Sequence, residues 1–162
     1  MSHHSHYILH DELIGFDIFK YIDVEFVFSN NKKRSVIYRL IFCQDRSHHP
    51  LLNKLYTENI KNLTISVVSF YNIDTENYQD CDMFDKPPDS INLTSSETRY
   101  LYTTLIDIIL LIAQTEKIDI LTFQAYSEEL RRVYIRLINK YAESKNLNVH
   151  IEEACFVIQT NI

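Results

Sequence analysis

Three basic residues, Arg132, Arg136 and Lys140, stand at i, i+4 and i+8 of one stretch, with Arg131 beside them. On a helix that spacing puts them on one face, where they could grip a nucleotide, a phosphate or an acidic protein surface. Glu128 precedes Arg132 by four, the ordinary arrangement of a helix-stabilising ion pair, so the row reads first as a solvated face. A second group is acidic: Asp74, Glu76, Asp80, Asp82 and Asp85. A calcium loop alternates its oxygen ligands around a sharp glycine turn, and this stretch has no glycine, so it reads as a solvated, partner-binding loop. Its Tyr78, Met83 and Phe84 are apolar in polar surroundings; they either pin the loop to the core or mark a protein interface. His3, His4, His6, His10, His48 and His49 could attract a metal column, but a metal site needs ligands held in fixed geometry, and none is expected here. Cys43, Cys81 and Cys155 lie far apart with no C-x-x-C, which describes neither a disulfide framework nor a zinc module. Two of them fall in strand-like runs where small buried thiols are common; Cys81 alone falls in the loop.

Composition removes whole classes of chemistry. The 162 residues include one glycine, Gly15. P-loops and dinucleotide fingerprints need at least two, so that backbone N–H groups can approach a phosphate, and both are excluded. A formal net charge of −6 disfavours binding dominated by nucleic-acid phosphates. Hydrophobic residues at 46% and charged residues at 23% describe a chain that can bury a core. The start, MSHHSHYILHDEL, lacks the basic-then-apolar order of a signal peptide, and the most apolar window, 105–113, is too short to span a bilayer. Free thiols and these absences make a soluble cytoplasmic protein the expectation.

The elements that must position these groups follow from periodicity. Residues 1–19 suggest a loose terminus followed by a short strand or helix. From Tyr21 to Ser29, Ile22, Val24, Phe26 and Phe28 alternate with Asp23 and Glu25, as a half-buried strand requires. Ser29-Asn30-Asn31-Lys32 is a turn signal, and Arg34 to Gln44 returns as a second strand, giving an antiparallel hairpin. Arg39 inside it implies a partly wet face. A short helix is expected within 48–58, a third strand at 63–73, and a long connection at 74–95. Thr94-Ser-Ser-Glu97 has capping-box spacing. Leu101, Leu105, Ile108, Ile109 and Ile112 then mark a helix buried on more than one side. A buried strand at 118–124 precedes a helix capped by Ser127, with Leu130, Val133, Tyr134, Leu137, Ile138 and Tyr141 at 3.6-residue rhythm. Residues 148–159 read as a strand bulged at Glu152-Glu153. The expectation is an α+β domain over 20–162: a mixed, mostly antiparallel sheet opened by a meander, with two main helices in a helix–strand–helix–strand second half.

Over residues 20–159 this layout resembles the GCN5-related N-acetyltransferase (GNAT) fold, and the residue pattern does so over 118–142. Members often carry, before the last helix, an Asn followed at +3 by Ala, at +6 by Leu and at +7 by Tyr. The same spacing here gives Ser127, Leu130, Val133 and Tyr134. Phe123-Gln124-Ala125 followed by Arg131-x-x-Tyr134 is also similar to GNAT-shaped proteins of phages and mobile elements. The resemblance implies acetyl-CoA as cofactor and Tyr134 as the acid that protonates the departing thiolate. GNAT enzymes hold the CoA pyrophosphate on an Arg/Gln-x-x-Gly-x-Gly/Ala turn opening the central helix. Here Asn92 to Arg99 contains no glycine, and the usual Gly-Phe after the final helix is missing.

Two functions follow as expectations. In the first, a degenerate GNAT-like chain binds a protein partner without catalysis or cofactor, through loop 74–95 (Tyr78, Met83, Phe84) and the row Arg132, Arg136, Lys140. In the second, it is an acyl-CoA-dependent N-acyltransferase, with Ser95, Ser96 and Arg99 receiving the phosphates and Tyr134 as acid.

Overall fold

The computed structural model describes residues 4–16, 18–30, 32–44, 52, 54, 63–80, 86–88, 91–125, 127–145 and 147–160. In chain order the elements are β1 (His4–Phe16), β2 (Phe19–Asn30), β3 (Lys32–Gln44), β4 (Ile65–Asn72), a 3-10 turn (Ile73–Asn77), α1 (Ser95–Thr115), β5 (Ile120–Gln124), α2 (Glu128–Lys145), β6 (Asn148–Glu152) and β7 (Cys155–Gln159). This is the α+β class, with a mixed sheet. The pairings β1–β2, β5–β7 and β6–β7 are antiparallel, and β4–β5 is parallel. Contacts divide the chain into two compact units, residues 1–41 with 70–106 and residues 42–69 with 107–162.

In the first unit the strand neighbours are β1, β2 and β3 in that order. β2 forms because its apolar residues fall at period two: Ile22, Val24, Phe26 and Phe28 are all buried on one face. Leu101 and Leu105 of α1 are buried with them. Aromatic edges organise this core. Phe26 meets the ring of Tyr38 at 6.2 Å and that of Tyr100 at 6.3 Å, both edge-on, and Phe70 meets Tyr102 at 6.0 Å. Burial pushes the phenols of Tyr38 and Tyr102 up, so both stay protonated. Residues 4–16, for which a loose terminus with a short element was expected, form a 13-residue strand instead. Its register on β2 shifts between His10 and Ile14.

In the second unit β5 lies between β4 and β7, with β6 beyond β7. Parallel pairing of Ile65–Val68 with Ile120–Phe123 requires a crossover, which the helical stretch between the strands supplies. Leu52, Ile65, Ile120 and Val157 form one buried cluster. Expected boundaries shift for local reasons. α1 ends in a Schellman motif: Ile118 N–H donates to Ala113 O at 2.8 Å and Lys117 N–H to Gln114 O at 3.3 Å. Lys117 therefore takes φ 55°, the position glycine normally fills. That motif uses Ile118, so β5 starts at Ile120 rather than 118. At the other end β4 stops at Asn72, whose side chain accepts from Asp74 N–H at 3.0 Å and opens the 3-10 turn.

Residues 148–159 are not one bulged strand. They are a tight hairpin, β6 and β7 paired from Asn148↔Gln159 to Glu152↔Cys155. The slip in alternation at Glu152-Glu153 is the turn, where Glu153 takes φ 54°. The helix expected within 48–58 lies outside the described residues except for Leu52 and Lys54, which are helical.

Candidate functional site

The N-terminus of α1 belongs to the first unit, and the chain itself closes it. Thr94 and Glu97 complete the capping box: Thr94 N–H donates to Glu97 Oε1 at 2.9 Å, and Glu97 N–H to Thr94 Oγ1 at 3.1 Å. The Glu97 side chain is 5% exposed, and its Oε2 accepts from Arg34 Nη2. Arg34 also donates through Nη1 to Asn92 O at 2.7 Å, and Lys86 Nζ donates to Asn92 Oδ1 at 2.7 Å. Burial alone would push the Glu97 carboxyl up. The Arg34 hydrogen bond and the Thr94 backbone bond outweigh it and hold the group below the usual carboxylate range. The helix end thus carries an ionised carboxylate of its own. Around it, Ser95, Ser96 and Arg99 are exposed.

Tyr134 sits in the second unit, 5% exposed, with its ring edge-on to Phe156 at 5.5 Å and near Phe123 at 6.1 Å. It is a core aromatic of α2, on the stripe that also buries Ile138. Tyr134 and the trio Ser95, Ser96 and Arg99 belong to different units. The backbone pairing of β4 with β5 ends at Val68↔Phe123, although β4 continues to Asn72. At the end of β5 the Ala125 N–H donates to Ala154 O at 2.9 Å.

The basic row is exposed as its spacing suggests: Arg132, Arg136 and Lys140 all face solvent on α2. Arg131 is different, donating through Nε to Glu153 O at 2.8 Å and tying α2 to the β6–β7 turn. In the acidic loop Tyr78 is half-buried, its N–H donating to Thr75 O at 3.2 Å. Met83, Phe84 and Cys81 lie outside the described residues. Among the described residues no group of three or more His, Cys, Asp or Glu could hold a metal ion. Burial, with Glu152 nearby, pushes the Cys155 thiol up, the opposite of what a nucleophile needs.

One polar cluster in the first unit was legible only as a wet Arg39. Arg39 grips Asp23 with both arms, Nε to Oδ1 at 2.8 Å and Nη2 to Oδ2 at 3.0 Å. Its guanidinium carbon lies 4.5 Å from the centre of the Tyr21 ring. Arg39 Nη1 is 3.5 Å from Glu76 Oε1, which also accepts from Tyr71 Oη at 2.5 Å. The Asp23 hydrogen bond above all raises the Arg39 guanidinium further beyond its ordinary range. Burial, then the bond to Glu76, pushes the Tyr71 phenol up, which keeps its proton in place as a donor. The residues come from β2, β3, β4 and the 3-10 turn, so no sequence spacing announces them. Every charge in the set has a partner, and the set holds no activated nucleophile or base.

No family model, curated protein or solved structure matches this chain.

Proposed function

We propose that this chain is a non-enzymatic protein-binding protein, built on a GNAT-like layout that has lost its cofactor site. The observation that carries the reading is the buried Glu97 carboxylate at the N-terminus of α1. In a CoA-binding enzyme of that layout, this helix end offers bare N–H groups and a positive dipole to a pyrophosphate. Here Glu97 and Thr94 take two of those groups, Arg34 neutralises Glu97, and glycine is missing from the whole turn. An incoming pyrophosphate would find those N–H groups already taken.

A core position for Tyr134 agrees with this reading, since a general acid must reach a leaving group within hydrogen-bond distance. The surfaces left for a partner are the exposed row Arg132, Arg136 and Lys140, and the 74–95 connection. Isothermal titration of the full chain with acetyl-CoA and with CoA tests it. No heat, and no thermal stabilisation by either ligand at millimolar concentration, is expected. Saturable micromolar binding that weakens in Ser96→Ala and Arg99→Ala would overturn the reading and favour an N-acyltransferase, whose phosphates would rest on the exposed Ser95, Ser96 and Arg99.

A further inference from the structure

Among the described residues β1 ends the run of strand neighbours, and no strand pairs with its outer edge. Folded chains usually blunt such an edge with lysine, proline or an inward charge. From His4 to His10 this strand has none of these: it reads HSHYILH, paired without interruption to β2. Tyr7, Ile8 and Leu9 are 46%, 45% and 44% exposed, three consecutive large apolar side chains on an open edge. Alternation sends Ile8 to one face of the sheet and Tyr7 and Leu9 to the other, where they stand opposite the buried Phe26 and Val24 of β2 and stay close to half exposed. The register shift after His10 ends the clean run.

We propose that a second copy of this chain occupies that edge, β1 pairing antiparallel with β1 about a two-fold axis at Ile8. The sequence around Ile8 is self-complementary when read in opposite directions. Ile8 faces itself, Tyr7 faces Leu9, and His6 faces His10. A two-fold at any other residue of the run leaves part of the Tyr7–Leu9 trio against a polar residue. Only at Ile8 does the trio map wholly onto itself. An unrelated partner strand would require no such inverted pattern, whereas an isologous interface does. The pairing joins two sheets over roughly 23 Å, the span of seven strand residues. It satisfies outward-facing N–H and C=O groups in both copies and gives each member of the trio an apolar cross-strand neighbour. This interface stands apart from the partner-binding reading above and survives if that reading fails.

Sedimentation velocity of the full chain across the micromolar range tests it. A concentration-dependent monomer–dimer equilibrium is expected. Ile8→Lys sets two like charges directly opposite each other and should weaken self-association about tenfold or more. Ile14→Lys, also exposed but beyond the register shift, should leave it within about twofold. If Ile8→Lys fails to fold, Ile8→Cys decides the matter. Under mild oxidation the introduced thiol should link to its own copy, and peptide mapping should find that linkage in preference to any involving Cys43, Cys81 or Cys155. A monomer at every concentration overturns the proposal. So does a dimer that persists in folded Ile8→Lys, or one in which the introduced thiol does not link to itself.

Discussion

Thr94 and Glu97 exchange hydrogen bonds across the first turn of α1, and the carboxylate that closes this box is buried against Arg34. The pair does two things at once. It caps the first turn with the chain's own side chains, and it pairs the buried carboxylate with a cation 63 residues away.

Replacing Glu97 should therefore cost stability in a pH-dependent way. Its folded pKa lies below the ordinary value, so the ionised form stabilises the fold above the unfolded pKa of about 4.3. That contribution disappears as pH falls through the depressed folded value. Glu97→Gln should lower unfolding free energy by about 2 kcal/mol at neutral pH, the buried-pair range discounted because Arg34 is 26% exposed. Urea titrations at several pH values should show the gap to the parent chain closing below about pH 4. Thr94→Ala should cost about 1 kcal/mol with a smaller closure, because its side chain helps lower the Glu97 carboxyl less than Arg34 does.

Tyr134 separates packing from chemistry. Tyr134→Ala should destabilise by about 3–5 kcal/mol, because it empties a ring-sized space between Phe123 and Phe156. Tyr134→Phe keeps the ring contacts and should cost no more than about 1.5 kcal/mol, the ordinary range of one hydrogen bond. Chemical denaturation followed by far-UV circular dichroism measures both.

The Asp23–Arg39 pair should show modest coupling. Both side chains are partly exposed, so solvent screens a geometry that would be worth more if buried. A double-mutant cycle with Asp23→Asn and Arg39→Met should give about 1 kcal/mol, falling at high salt. Arg39→Lys should recover little of the loss, since an ammonium cannot hold both Asp23 oxygens while lying over the Tyr21 ring.

Lys117→Gly should stabilise the chain by about 1 kcal/mol. Lys117 adopts φ 55° as the left-handed residue of the Schellman motif, a conformation that crowds its Cβ. Glycine removes that strain while Ile118 N–H still reaches Ala113 O. A higher melting temperature with an unchanged spectrum would register the gain; a lower one would mean that the Lys117 side chain contributes more than its backbone costs.

Local patterns carried much of this fold into view. The alternation of Ile22, Val24, Phe26 and Phe28 requires a strand with one buried face, whatever lies opposite. Thr94 and Glu97 are three residues apart, so their mutual hydrogen bonds need nothing but a helix turn. The stripe from Leu101 to Ile112 and the Ser127 cap depend equally on near neighbours, and both helices lie where those signals put them. Tertiary structure decided what depends on distant partners. Residues 4–16 have little pattern of their own and become a strand because β2 offers an edge to pair with. The break at Glu153 looks like a bulge in one dimension, and it is a turn because β6 and β7 hydrogen-bond each other. Arg34 meets Glu97 across 63 residues, and Asp23, Arg39, Tyr71 and Glu76 converge from four elements. Spacing in sequence encodes neighbours one turn or one pleat away; charge pairing across strands arises only once the chain has closed its loops.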